Sequence, residues 1–454
     1  MPNLNFIIKK PIRTLSGVTP VAVLTKPYPC PGKCLYCHNE PGMPKSYLKN
    51  EPGGQRAVAN RFDPYRQVTT RLETYRVNNH PTDKVELIVL GGTWSAYPRQ
   101  YQSWFIKRCF DALNNRSSKN LLQAQKINET AVSRCVGLSL ETRPDWITAE
   151  ELIRFRRLGC TKVQIGIQSL NDRILRLNRR GHTVSQTKKA IKLLRQFGFK
   201  IQAHWMANLY GAAPKSDLAD FKKLFADLSI RPDELKIYPC SLIKSAPLYN
   251  FYQKKSWRPY SQPELINLLV KILPLVPQYC RVSRMIRDFA KQDIAAGNKQ
   301  SNLRQLVEVK AKAKIKEIRW REIRNLKLTI KNLQLKIISY KTSVGREKFL
   351  QFVTLNDQVA ALLRLSLPEN KKDGAMIREL HVYGKSLRLG SKGKSQHLGL
   401  GKRMVEKAVL LSRGYPKLSV ISAVGTREYY RRLGFKDGRL YQQLQLVNVR
   451  IQRI

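Results

Sequence analysis

Acidic residues are scarce in this chain: its 454 residues hold 32 Asp and Glu against 83 Lys and Arg, a formal charge of +51. A halophile's acid-coated surface is excluded, and such a field attracts polyanions. Long hydrophobic runs are also missing, since none approaches the roughly 20 residues of a spanning helix. The opening "MPNLNFIIKKPIRTLSG" has neither the apolar core nor the small-residue cleavage site of a secretory signal. A cytoplasmic protein without a membrane partner is therefore expected, with nucleic acid as its anionic partner. No G-x-G-x-x-G turn follows any candidate strand, which counts against a dinucleotide-binding fold.

What is present is a chain that should fold, with 42% apolar residues and a length for two or three domains at about 150 residues each. In the first half, short runs rich in Val and Ile alternate with amphipathic stretches. The runs are 21–26, 84–92, 135–142, 162–169, 200–209 and 234–242, and between them lie helical patterns such as "TAEELIRFRRLG" and "TVSQTKKAIKLLRQFG", each closed by a glycine. Six such alternations predict a parallel sheet. Polar residues gather just past the strand ends: Gly91 and Gly92, Glu141 and Arg143, Gln168, and His204 with Asn208. In open or closed (β/α) barrels, that position faces one common mouth.

Three of the eight cysteines stand together, Cys30, Cys34 and Cys37 in "KPYPCPGKCLYCHNE", after the first predicted strand. The other five are scattered singly through apolar segments and read as core thiols. The C-x3-C-x2-C spacing offers three thiolates. A 4Fe-4S cluster held by three ligands leaves one iron free for an outside molecule. The alternatives are a zinc ion that borrows His38, or loop cysteines without metal. Set after the first strand of an α/β pattern, with Tyr36 before the last thiol and Gly91–Gly92 after the second strand, the triad resembles the cysteine signature of the radical SAM enzymes. That resemblance implies S-adenosylmethionine (SAM) on the open iron. It also implies a methionine-binding backbone at Gly91 and Gly92, with Glu141 and Gln168 among the cofactor contacts.

From about residue 281 the pattern changes. Residues 301–340 carry eleven Lys or Arg against three acids, either a solvated face or a polyanion contact. After Tyr340, "FLQFVTLNDQVAALLRLSLP" predicts two antiparallel strands across a polar turn, and "IRELHVYG" a third. "QHLGLGKRMVEKAVLLSRG" is a Q-x-x-G-x-G loop opening into an amphipathic helix, and a strand, turn and short helix follow in "LSVISAVGTREYYRRLGF". Glycines at 399 and 401 let backbone N–H groups converge at a helix N-terminus, where a pyrophosphate would be favoured. Together these features resemble the GNAT acetyltransferases.

The pairing is itself distinctive. "KPIRTLSGV", "NEPGGQRAVANRFDPY", "GLSLETRPD", "GIQSLNDRILRLNRRGHTV", "DELKIYPC", "RELHVYG" and "ISAVGTREYYRRLGF" resemble the catalytic subunit of Elongator and its single-chain bacterial and archaeal relatives, from about residue 9 to the end. The implied architecture is a partial (β/α)6 radical SAM barrel over 1–280, a basic linker over 281–345 and an α+β GNAT-type domain over 346–454. The implied activity is on tRNA, at the wobble uridine of the anticodon stem-loop. SAM-derived radical chemistry and acetyl-CoA would place a carboxymethyl group on uridine C5, without a need for accessory subunits.

By the same resemblance, Cys30, Cys34 and Cys37 are the cluster ligands. Acetyl-CoA contacts fall on Lys84, on Glu379, Leu380, His381 and Val382, on Gln396, Gly399, Leu400, Gly401 and Lys402, and on Tyr430. Lys84 and Tyr430 stand closest to catalysis. Ile315 and Glu317 replace the two cysteines of the family's C-x-C linker pattern, so a zinc site of the family type is not expected there. Two rival functions are a protein lysine acetyltransferase using the barrel as a scaffold, and a non-catalytic RNA-binding protein.

Overall fold

The computed structural model describes residues 14–323, 332–384 and 399–446. The first half forms the predicted parallel sheet. Its strands are β1 (Thr19–Leu24), β2 (Lys84–Leu90), β3 (Arg134–Thr142), β4 (Lys162–Gln168), β5 (Lys200–Ala207) and β6 (Glu234–Pro239). They pair in chain order, each parallel to its neighbour. Two short strands, β7 (Leu242–Ile243) and β9 (Ile294–Ala296), pair with each other outside this sheet. A seventh parallel strand, β8 (Arg281–Arg284), pairs with β6. It lies in the segment read from sequence as linker, where its four residues were too short for an alternating pattern to register.

Helices between the strands follow from their caps. Thr148 accepts from the Glu151 N–H to open Ala149–Arg157, and Thr183 and Gln186 form a capping box before Val184–Gln196. Gly159 and Gly198 lie just beyond these two helices with φ of 91° and 73°, which lets the chain reverse into the next strand. The apolar faces of helices and sheet enclose one core, in which Cys109, Cys135, Cys160 and Cys280 are buried; Cys240 is buried in a satellite cluster.

The second sheet contains β10 (Gln334–Lys341), β11 (Gly345–Val353), β12 (Val359–Pro368), β13 (Ala375–Val382), β14 (Lys417–Val420), β15 (Lys436–Asp437) and β16 (Gln442–Gln445). Strands β10 to β13 form an antiparallel meander, while β13 and β14 are parallel. The last of these pairings joins only Ala375–Ile377 to Leu418–Val420, so Glu379–Val382 run on with partners on β12 alone among the described residues.

The second sheet packs against the N-terminal ends of the parallel strands. Arg378 donates to Phe199 O just before β5 and to Asp233 just before β6. A Cβ on Gly425 would meet Arg134 Cβ at 2.6 Å and Cys135 O at 2.9 Å at the start of β3. That contact leaves room only for glycine.

Candidate active site

The cysteine loop leaves the C-terminal end of β1 and is pinned by its neighbours. The Leu35 N–H donates to Asn178 O, the Leu248 N–H to Leu35 O, and the Ser46 N–H to His38 O. Cys30 Sγ lies 3.6 Å from Thr93 Oγ1 and accepts from the Gly32 N–H at 3.4 Å. Arg180 Nη1 lies 3.5 Å from Cys34 Sγ. Burial would raise the Cys34 thiol, but the Arg180 charge outweighs it and holds the thiol below its ordinary value. Cys37, half-buried and beside Cys34, is pushed up to about 12 by desolvation and by the Cys34 charge.

The donor set fits a cluster better than a single ion. No three His, Cys, Asp or Glu side chains among the described residues converge on one metal ion. His38 is buried with its ring edge-on to Phe289, and burial holds it near 3. Four irons, by contrast, take thiolates at separate corners. Around the loop, Tyr36 Oη, Arg143 Nη1, Arg180 Nε and Gln168 Oε1 are buried without a partner among the described residues. Such unmet polar groups suit a bound polar cofactor.

Glu141 and Gln168 both line the cavity below this loop, as does His204. Glu141 accepts from Tyr47 Oη at 2.9 Å. It does not pair with Arg143, which holds Asp145 and the Arg180 carbonyl instead. Gln168 has a φ of 64° that turns it out of the strand. Asn208, contrary to its expected place at the mouth, does not line the cavity, and neither do Gly91, Gly92 and Arg143, although Arg143 stands beside Gly32 of the cysteine loop. Asn208 is instead a packing hinge that accepts from the Tyr260 N–H and donates to Arg258 O. Gly91 is required by close approach: at φ 139°, a Cβ there would stand 1.8 Å from Thr25 Oγ1. Gly92 follows at φ 90°.

The cavity continues through the half-barrel. At about 940 Å³ it reaches from Tyr36 and His38, past Glu141, Gln164, His204 and Lys236, to Glu379, Leu380, His381 and Tyr430 of the second sheet. Alternate residues of β1, β2 and β5 face it, as strand geometry requires. Near its middle, Lys236 Nζ donates to Gln164 Oε1 at 2.5 Å, and His204 Nε2 lies 3.2 Å from the same oxygen. Farther down, Lys200 bridges Glu234 at 2.6 Å and Glu379 at 2.5 Å. Arg364 holds the other Glu379 oxygen at 2.7 Å. Burial alone would raise Glu379, but Lys200 and Arg364 hold it below the usual carboxylate range.

The remaining sequence candidates divide between this end of the cavity and its surroundings. His381 Nε2 lies 3.1 Å from Ser16 O. Tyr430 is buried against Tyr429 and Phe435. Val382 is partly buried at the end of β13. Gly399, at φ 78°, opens the helix Leu400–Leu411. Leu400 is 1% exposed, so its side chain belongs to the core and only its backbone faces the helix entrance. A Cβ on Gly401 would meet Tyr429 Oη at 2.7 Å. Lys402 is half exposed and lies 3.7 Å from Glu406. Lys84 is partly buried at the start of β2 on the face of Glu86 and Ile88, but does not itself line the cavity. Gln396 lies outside the described residues.

Sequence reasoning missed Lys200, Lys236, Glu234, Arg364 and Arg378. A signal existed, because six parallel strands begin with a charged residue: Lys84, Arg134, Lys162, Lys200, Glu234 and Arg281. Charges repeated at strand starts mark the end that another domain covers. In place of a zinc site, Glu317 is fully buried and accepts from Arg304 Nη2 at 2.6 Å and from the backbone of Val282, Arg319 and Trp320.

Residues 28–228 match the Radical SAM superfamily, and residues 232–314 match the Radical_SAM C-terminal domain. The chain is 42% identical over 449 residues to the tRNA uridine(34) acetyltransferase of Dehalococcoides mccartyi, covering 94% of this chain and 98% of that protein. It is 35% identical to the Homo sapiens Elongator complex protein 3 over 96% of this chain and 85% of the other. The solved archaeal Methanocaldococcus infernus Elp3 with an N-terminus deletion superposes with a TM-score of 0.83 at 37% identity, covering 95% of this chain and 100% of that one. The fold and the cysteine loop therefore define a radical SAM protein. Within that class, the chain belongs to the family of the tRNA uridine(34) acetyltransferases and Elongator complex protein 3.

Proposed function

We propose that this protein modifies the wobble uridine of tRNA, joining a carboxymethyl group derived from acetyl-CoA to C5. The observation that carries this reading is the continuous cavity, which joins the cysteine loop at one end of the half-barrel to the open edge of β13 and Tyr430 at the other. When bound, a 4Fe-4S cluster and SAM supply radical chemistry, which couples two carbons that polar chemistry leaves inert. Cys30, Cys34 and Cys37 would hold the cluster, while Gly91, Gly92, Glu141 and Gln168 would hold SAM.

Acetyl-CoA would sit in a GNAT-type domain comprising 346–454, whose sheet is extended by β10 from the basic 281–345 segment, while β8 of that segment extends the sheet of the barrel at 1–280. The β13 backbone at Glu379–Val382 has no strand partner on its β14 side among the described residues, so its N–H and C=O groups are free to pair with an extended amide chain. The first N–H groups of the helix at Leu400, Gly401 and Lys402 would take the pyrophosphate. The Glu379 carboxylate is already committed to Lys200 and Arg364, so its contribution is through the backbone. Lys84 would add a cation from the barrel side, and Tyr430 would face the thioester. The charge of +51 supports tRNA as the partner. A cytoplasmic enzyme that needs no accessory subunit fits this reading.

The test uses anaerobically purified full-length protein with a reconstituted cluster, tRNA, SAM, reductant and acetyl-CoA, followed by nucleoside mass spectrometry. The expected product is 5-carboxymethyluridine, lost in Cys34→Ala together with bound iron. Unchanged turnover in that variant, or acetyl transfer to protein without SAM, would overturn the proposal.

A further inference from the structure

Four aromatic rings form a contiguous row at the rim of the half-barrel beside the cysteine loop, the inner pair stacked and the two outer pairs tilted by 31° and 35°. Ring centroids lie 4.9 Å apart for Tyr28 and Tyr97, 5.3 Å for Tyr97 and Tyr101, and 5.6 Å for Tyr101 and Trp104. The inner rings are fixed. Tyr97 Oη lies 2.7 Å from Thr25 Oγ1 and 2.8 Å from Lys26 O. Tyr101 Oη accepts from the Lys26 N–H at 3.1 Å, and Lys26 Nζ stands 5.1 Å from the Tyr101 ring centroid. The outer rings are open: Tyr28 is 37% exposed and Trp104 is 43% exposed.

We propose that this row is a platform for unpaired bases of an RNA loop, with Tyr28 and Trp104 as its two receiving faces. The inference rests on the reading of the chain as an RNA-modifying enzyme and names the surface that would present the loop. Exposed aromatic rings on a prefixed row offer π-faces at little ordering cost, the condition for base stacking in single-stranded recognition. Charge selects the occupant. Lys26, whose Nζ stands over Tyr101, is exposed, as are Lys33 and Arg99 on the segments that carry the rings. The helix Arg99–Asn114 carries one acid, Asp111, which is tied to Lys107 and Arg108. Phosphates flanking a stacked base therefore meet cations and no free carboxylate on these two segments. Position matters as well. Tyr28 stands two residues from Cys30, so a base stacked there holds its neighbour at the end of the cavity where the cysteine loop lies.

The experiment measures binding of the full chain to two fluorescein-labelled RNAs, an anticodon stem-loop and a fully paired duplex of equal length. Tyr28→Ala and Trp104→Ala should each weaken stem-loop binding by about 5- to 100-fold, the size expected for one stacked base, and leave duplex binding unchanged. Tyr28→Phe and Trp104→Phe should retain stem-loop binding. Tryptophan fluorescence should be quenched by the stem-loop in the unaltered protein and less so in Trp104→Phe. Alanine variants that bind both RNAs like the unaltered protein, or that lose both equally, would overturn the platform while leaving tRNA modification standing. Failure of the unaltered protein to bind either RNA would remove both readings.

Discussion

Arg378 and Asp233 face each other across the junction of the two sheets, with Nη1 2.8 Å from Oδ2 and Nη2 2.7 Å from Oδ1. Both side chains are fully buried. Arg364 and Glu347 complete the group, with Arg364 Nη1 3.5 Å from Asp233 and Glu347 Oε2 3.1 Å from Arg378. A fork-shaped cation matched to a carboxylate fixes orientation as well as contact, so this pair sets how the lower end of the cavity meets β13.

Arg378→Ala leaves Asp233 as a poorly compensated buried charge, and a loss of about 3–5 kcal/mol is expected. Burial would raise the Asp233 carboxyl, but Arg378 and Arg364 hold it well below the usual carboxylate range. Its contribution is thus present above the unfolded value of about 3.9 and lost as pH falls through the lower folded value. Calorimetry should show the wild-type advantage over Arg378→Ala largest at neutral pH and shrinking toward pH 5, because burial raises the uncompensated Asp233 carboxyl of the variant and lets it take up a proton there. An advantage that grows as pH falls through that interval would contradict the assignment.

Lys236 carries the opposite pH signature. Burial lowers its amine to about 7, with Glu141 opposing the shift, against roughly 10.4 in an unfolded chain. Between these values the unfolded state holds the extra proton, so stability rises with pH across that window. Below the folded value both states are charged and the slope vanishes. Wild-type unfolding free energy should therefore gain on that of Lys236→Met between pH 7 and pH 9, by up to about 1.4 kcal/mol per pH unit, and Tm should rise with it. Parallel Tm curves would show that the amine stays charged.

Gly91→Ala should be more harmful than Gly92→Ala. The first places a Cβ 1.8 Å from Thr25 Oγ1, whereas the second meets only Lys45 O at 3.4 Å. Both positions have positive φ, a strain of roughly 1–3 kcal/mol for alanine, and the clash adds to it only at 91. Thermal melts of the two variants separate the contributions, and equal losses would mean that Thr25 moves aside freely.

Glu317→Ala removes the acceptor of Arg304 Nη2 and of three backbone N–H groups. A loss of about 3 kcal/mol or more is expected from breaking a buried pair, with no change in bound iron. A fall in iron content without a fall in Tm would give Glu317 a role at the cluster instead.

The sequence by itself determined the local pieces. Val- and Ile-rich runs matched β1 to β6 because burial on both faces of a parallel strand leaves a nearly continuous apolar pattern. "FLQFVTLNDQVAALLRLSLP" became β11 and β12 about its polar turn, and the helix after Gly399 began where the glycine allowed. The cysteine spacing was legible too, because three cysteines on one loop are brought together by chain geometry alone. Tertiary structure decided what those pieces face. Asn208 and Glu141 both lie at or beyond strand ends, yet one is locked against Tyr260 and the other lines the cavity. Lys200 and Glu379, 179 residues apart in the chain, meet only because the second sheet covers the N-terminal ends of the parallel strands. Short-range periodicity fixes which way a side chain points from its own strand, whereas the partner across a domain junction depends on long-range packing that no local pattern encodes.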